Sequence, residues 1–278
     1  MKHVCLVISI LVVTAVKGQE LYVFSDPASN IPARSISVKA GGMFMGPQVW
    51  NDRPMQRYMP EIMLGISKKW MLRTGVTFGD MHTSNFAWES AYAYLKYRFL
   101  SKDDIHKHFR MAIFADGSYT RVPFHNDEIT LQGDKSGVQL GLIATQLWHK
   151  LAVSGTVSHT QVLDKSRNSK NVIYVPSRVY QAMNYSVSAG YLVLPEEYTD
   201  YKQTNLNIYA ELLAQQSLEA DRKVYYIDLA PAAQLIFNSN TKLNIGYRFQ
   251  LGGNMQRMAE SGWLISLERT FLNALKGK

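Results

Sequence analysis

Residues 242–251 read Lys-Leu-Asn-Ile-Gly-Tyr-Arg-Phe-Gln-Leu. In an extended chain Leu243, Ile245, Tyr247, Phe249 and Leu251 share one face, and Asn244, Gly246, Arg248 and Gln250 share the other. The same two-residue period returns along most of the chain. Trp70, Leu72, Val76 and Phe78 oppose Met71, Arg73, Gly75, Thr77 and Gly79; Leu151, Val153 and Val157 oppose Ser154, Thr156 and Ser158. A strand with one apolar face and one polar or small face suits a wall with lipid outside and water inside. The pattern predicts an all-β fold, a transmembrane antiparallel up-and-down barrel of about twelve strands.

The start of the chain supports export. Lys2 and His3 precede an apolar run from Cys5 to Val13, and Val16 and Gly18 suit cleavage before Gln19. That run is too short to span a bilayer as a helix, which takes about 20 residues. Residues 1–18 therefore read as a signal peptide. Cys5, the one cysteine, leaves with it, so no disulfide or thiol chemistry is expected of the mature chain. Removing Lys2 and Lys17 leaves 28 basic against 22 acidic residues. The bases are scattered singly, which excludes a nucleic-acid interface. The longest uncharged stretch in the mature chain, Val179–Pro195, is diluted by Gln181, Asn184, Ser186 and Ser188, so no membrane helix is predicted.

Strands are predicted at 35–45, 58–67, 70–80, 88–100, 108–121, 136–148, 150–161, 178–194, 203–214, 222–237, 242–252 and 260–271. The connections at Lys68-Lys69, Ser101–Lys107, His149-Lys150, Pro195–Lys202 and Asn238–Thr241 are short and read as periplasmic. Loops 46–57, 81–87, 122–135, 162–177, 215–221 and 253–259 read as external, which places both termini in the periplasm of a cell with an outer membrane. Trp70, Trp148, Phe237 and Phe271 fall at the periplasmic ends of strands, and Phe86, Trp88, Tyr119 and Tyr180 at the external ends, as two interfacial girdles would. A soluble sandwich would need a second sheet to bury so many outward aromatics, and these spans are long for sandwich strands. Pro231 removes a ladder donor from the tenth strand and predicts a bulge or kink there. Residues 19–34, with Pro27 and Pro32, read as irregular, either a periplasmic segment or a plug in the lumen; 35–271 form the barrel and 272–278 a tail.

Several stretches resemble an outer-membrane barrel family of Bacteroidetes-type bacteria, described as transporter-like. They are Glu20–Ser35 (ELYVFSDPASNIPARS), Leu95–Met111 (LKYRFLSKDDIHKHFRM), Ser136–Ala152, Phe237–Phe249 (FNSNTKLNIGYRF) and Arg269–Lys278. The resemblance implies a barrel in the outer membrane and supplies no cargo and no catalytic set. Phe271, closing the alternating segment of Trp263, Ile265 and Leu267, suits the recognition signal by which assembly machinery takes up a last strand.

The polar-face charges are the candidate lumen and selectivity residues: Glu61, Arg73, Lys96, Arg98, Arg110, Asp116, Glu211, Asp228 and Arg248, with Glu268. Mixed signs fit an aqueous channel tuned by charge rings, or a narrow interior closed by ion pairs. Two weaker constellations stand beside them. His82 and Ser84 have the His-x-Ser spacing of outer-membrane lipid hydrolases, in which imidazole takes the serine proton; the register of Phe78 would put them on the lipid-facing rim. His106 and His108, after Asp103 and Asp104, have metal-ligand spacing but sit in a hydrophilic turn beside Lys102 and Lys107. No residue pattern calls for a cofactor. The expected function is passive or facilitated passage of a small solute or ion, the alternatives being an accessory barrel of an outer-membrane complex and a rim hydrolase using His82 and Ser84. The expected partners are outer-membrane lipid, the assembly machinery and a small solute.

Overall fold

The computed structural model describes residues 22–47, 53–82, 85–104, 107–122, 126–163, 179–197, 200 and 202–275. Residues 1–18, the expected signal peptide, lie outside them. Twelve strands are present: β1 (Ser35–Met45), β2 (Met55–Gly65), β3 (Trp70–Gly79), β4 (Ala87–Asp103), β5 (Lys107–Thr120), β6 (Gly137–Trp148), β7 (Leu151–Val162), β8 (Gln181–Leu194), β9 (Asn205–Ser217), β10 (Tyr225–Phe237), β11 (Thr241–Gly253) and β12 (Ser261–Phe271). Each pairs antiparallel with its sequence neighbours, and β1 pairs with β12 from Ile36–Phe271 to Phe44–Trp263, closing the barrel. Closure leaves no sheet edge, the condition for spanning lipid with strands. All twelve have at least 10 residues, enough to cross a bilayer when tilted.

The period-two pattern places side chains as the sequence predicts. Leu140 is 64% exposed and Leu267 54%, while Glu211 and Asp228 are fully buried. The outer surface is thus an apolar belt and the inner surface carries the charge. Trp70, Trp148, Phe237 and Phe271 are exposed at the end where the turns are short; Phe86 and Tyr119 are exposed at the other. Tyr180 differs, because it packs against an internal cluster that includes Val179, Tyr226 and Met255. At the short-turn end, Asn238 and Ser239 take left-handed φ angles of 50° and 55°, which lets β10 reverse into β11 through three residues.

Three local expectations are refined. Ser101 to Asp103 belong to β4, paired with Arg110 to His108, rather than to a turn. The β10–β11 register shifts between Ile227 and Asp228; at Ala230 and Pro231 the pairing to β11 lapses without a change of register, while β9 pairs on through Ala210. The missing Pro231 N–H thus coincides with a gap in the ladder rather than a bulge, with the ring exposed on the outer face. The third concerns the loop between β5 and β6, which lies at the end opposite the short turns and folds into the bore: Asn126 to Ile129, Leu131 and Gly133 to Ser136 are buried.

Candidate functional site

Two irregular segments cross the bore. The first is residues 22–34, entering from the short-turn end. The N–H groups of Val23, Phe24 and Ser25 donate to the Glu211 carboxylate of β9 at 2.8, 3.0 and 2.9 Å. Asp26 accepts a two-pronged contact from Arg73 of β3, at 3.1 and 2.9 Å. Lys96 of β4 donates to the carbonyls of Pro27 and Ser29, both at 2.8 Å. The Ala28 N–H reaches Thr145 of β6, and Arg110 of β5 reaches the Ser29 hydroxyl, each at 2.9 Å. Ala28 and Ile31 then pack on Met63, Met71, Ala112 and Ile143, apolar residues on the inner face. A segment without secondary structure has unpaired backbone groups, and here strand side chains satisfy them. Gly65 marks the tightest approach: a Cβ there would meet the Pro32 carbonyl oxygen at 2.1 Å, so only glycine leaves room.

The second segment is the β5–β6 loop, entering from the opposite end. Arg57 of β2 is its clamp. It donates to Glu89 of β4 at 2.5 Å, to Asp134 of the loop at 2.6 Å and to the Gln132 carbonyl at 3.1 Å. Glu128 of the loop accepts from Arg248 of β11 and from Arg257, each at 3.1 Å, and both arginines also contact Asp228 of β10. The Ile129 N–H and carbonyl bond the Gln215 side chain of β9 at 2.8 and 2.9 Å. Burial opposes ionisation of the loop carboxylates. It is outweighed at Asp134 by Arg57 and the His82 hydrogen bond, and at Glu128 by Arg257 and Arg248, so both titrate below the usual range.

Lys135 behaves in the opposite sense. Burial pushes its ammonium down to about 7, with only partial compensation from Asp134, Asp127 and Glu128. In the released loop its pKa returns toward the ordinary value near 10.5. Between those values the released state binds more protons, so docking strengthens as pH rises from about 7 to about 10.5, and is weakest and independent of this group below about 7. Trypsin cleavage after Lys135 is therefore expected to slow across that interval after correction for the enzyme's own pH profile. In Lys135→Met that dependence should vanish when docking is followed by hydrogen exchange of the Ile129 amide, which Gln215 holds.

Between the two segments lie two chambers of about 240 and 250 Å³. Phe24, Asp26, Arg73, Gln132 and Arg248 line both. Glu61 faces the first and is held by Lys39 at 2.8 Å and the Tyr92 hydroxyl at 2.6 Å. Asp116 faces the second.

Each sequence-derived candidate can now be placed. Glu61, Arg73, Lys96, Asp116, Glu211, Asp228 and Glu268 are buried inside the barrel, and Arg248 faces both chambers. Arg110 is half-buried and pairs with Asp103 at 2.9 Å; Arg98 is half-buried on β4. Glu268 accepts from Ser37 at 2.6 Å and pairs with Lys242 at 3.3 Å, at the edge of the first chamber.

His82 is not on the lipid-facing rim. β3 ends at Gly79 after a register shift at Thr77/Phe78, and the chain then turns inward. His82 is buried, with its Nε2 2.9 Å from Asp134 and 3.1 Å from Arg57. Ser84 lies outside the described residues, as does His106. His108 pairs with Asp103 at 2.9 Å, and among the described residues no group of three His, Cys, Asp or Glu is arranged to hold a metal. Sequence reasoning missed Arg57, Glu128, Asp134 and Arg257. Their only signal was an acidic loop with no assigned counter-charge.

An outer-membrane channel from Pseudomonas putida F1 superposes on 90% of this chain and 100% of its own, with a TM-score of 0.57 at 13% identity. The two chains share a fold. The KdgM and NanC porins align over 85% of this chain and 99% and 98% of theirs, at 10% and 11% identity. Their TM-scores of 0.46 and 0.45 add nothing to that assignment. No family model and no curated protein matches the chain.

Proposed function

We propose that this protein is an outer-membrane barrel that passes a small polar solute or ion, with residues 22–34 as a releasable plug and the β5–β6 loop as a constriction. Both termini and the short turns face the periplasm in this reading, and the stretches quoted above support a likeness to Bacteroidetes-type barrels. The observation that carries it is the nature of the occlusion. The plug is held mainly by polar contacts to groups that water can replace in an opened lumen, with two small apolar patches, Ala28 with Ile31 and Tyr22 against Tyr209. An interior meant to stay closed is more economically filled by packed side chains. The inward orientation of His82 gives the rim hydrolase no support.

The test is single-channel recording in planar bilayers. The chain from Gln19 is expected to show rare or small current steps, and the chain lacking 22–34 steady steps at least severalfold larger. Glu211, Lys96 and Arg73 then hydrate in the lumen, so the barrel stays folded, as a heat-modifiability gel would confirm. A folded deletion variant that conducts nothing would end the passage reading and favour the accessory barrel.

A further inference from the structure

Resting on the reading of the bore as a passage, we propose that the 250 Å³ chamber binds a small uncharged polyhydroxylated solute of monosaccharide size. Asp116 on β5 is 7% exposed and lines this chamber, and its Oδ1 has no hydrogen-bond partner among the described residues. A buried acceptor left unmatched is costly, and a ligand that brings a donor removes that cost. The chamber's cations are already engaged. Arg73 is held by Asp26, and Arg248 by Asp228 and Glu128. Arg73 Nε is also left without a hydrogen-bond partner among the described residues, 3.8 Å from Glu61. The spare capacity is therefore one acceptor and one donor with the charges already paired, which suits hydroxyl groups that both donate and accept.

Charge balance narrows the ligand further. An anion entering here meets the Asp116 and Asp26 carboxylates. A small cation meets the Arg73 and Arg248 guanidiniums. A neutral hydroxyl donor meets neither penalty. The wall opposite the arginines is uncharged and rich in groups that both donate and accept. Gln139 pairs across the strands with Asp116 and donates to Ser158 at 2.6 Å; Thr156 faces Ser186 between β7 and β8, both half-buried. The volume holds several waters at about 30 Å³ each, or one sugar ring in their place.

Equilibrium dialysis of the detergent-solubilised chain from Gln19 against labelled D-glucose tests this, with methylammonium and lactate as charged probes. Glucose retention is expected, weakened at least tenfold in Asp116→Ala and severalfold in Thr156→Val, with both variants folded by heat-modifiability. Preferential retention of methylammonium or lactate would overturn the proposal. So would absence of glucose retention in a chain that conducts in bilayers, which leaves the passage reading standing. Glucose retention by a chain silent in bilayers, with or without residues 22–34, would uphold the site and remove the passage.

Discussion

Replacing Arg57 by methionine is expected to release the β5–β6 loop from the bore. Arg57 neutralises two buried carboxylates at once, Glu89 at 2.5 Å and Asp134 at 2.6 Å, and also holds the Gln132 carbonyl. Removing one partner from a buried ionic cluster costs about 3–5 kcal/mol, because the remaining charges lose their compensation. The barrel ladder does not depend on this cluster, so the cost falls on loop docking rather than on the fold. At about 1.4 kcal/mol per decade, the released fraction rises at least a hundredfold. Glu128 with Arg257, and Ile129 with Gln215, still anchor the other half of the loop, so release begins at Asp134. Lys135 is 1% exposed and shielded from protease in the parent protein. Tryptic cleavage at Lys135 should accelerate by two orders of magnitude in Arg57→Met and by less in Arg57→Lys, which keeps the charge but loses the planar fork. Unchanged protection would mean that the loop is held elsewhere.

The second large effect is expected from Glu211→Ala. This carboxylate accepts the N–H groups of three consecutive plug residues and lies 3.2 Å from the Ser188 hydroxyl. Hydrogen bonds to a charged group contribute about 1.5–3 kcal/mol each. Part of that is recovered when water reaches the freed amides, which leaves a net loss of about 3 kcal/mol. By comparison, burying Ile31 stabilises the docked plug by about 2 kcal/mol. The Glu211 contacts therefore outweigh the Ile31 contact, and their loss shifts the plug toward release by roughly a hundredfold. The readout is the frequency of open steps in bilayers, which should approach that of the chain lacking 22–34. Glu211→Gln, with one acceptor oxygen and no charge, should fall between. An open frequency equal to the parent's would show that Arg73 and Lys96 suffice to hold the segment.

The barrel itself was legible in the sequence for a physical reason. Each strand is regular, and one face must meet lipid while the other must not, so Leu243, Ile245 and Leu251 alternate with Asn244 and Gly246 whatever lies elsewhere in the chain. The strand spans and the inner charges Glu61, Arg73, Glu211 and Asp228 follow from that local rule. Register was legible only while the strand lasted. His82 followed Phe78 in the alternation on paper, but the chain leaves the sheet at Gly79 and the rule stops there.

What fills the bore was decided by tertiary structure alone. Residues 22–34 and 126–136 have no period to read, and their polar composition is that of a solvated tail and a solvated loop. They are buried because their amides and carboxylates find counterparts far away in sequence: Phe24 at Glu211, Asp26 at Arg73, Asp134 at Arg57, Glu128 at Arg257. Those counterparts come within reach only after twelve strands have closed. The sequence by itself determined a barrel with a charged interior. Closure of the barrel determined which charges meet, and therefore that the interior holds a plug, a constriction and the chambers between them.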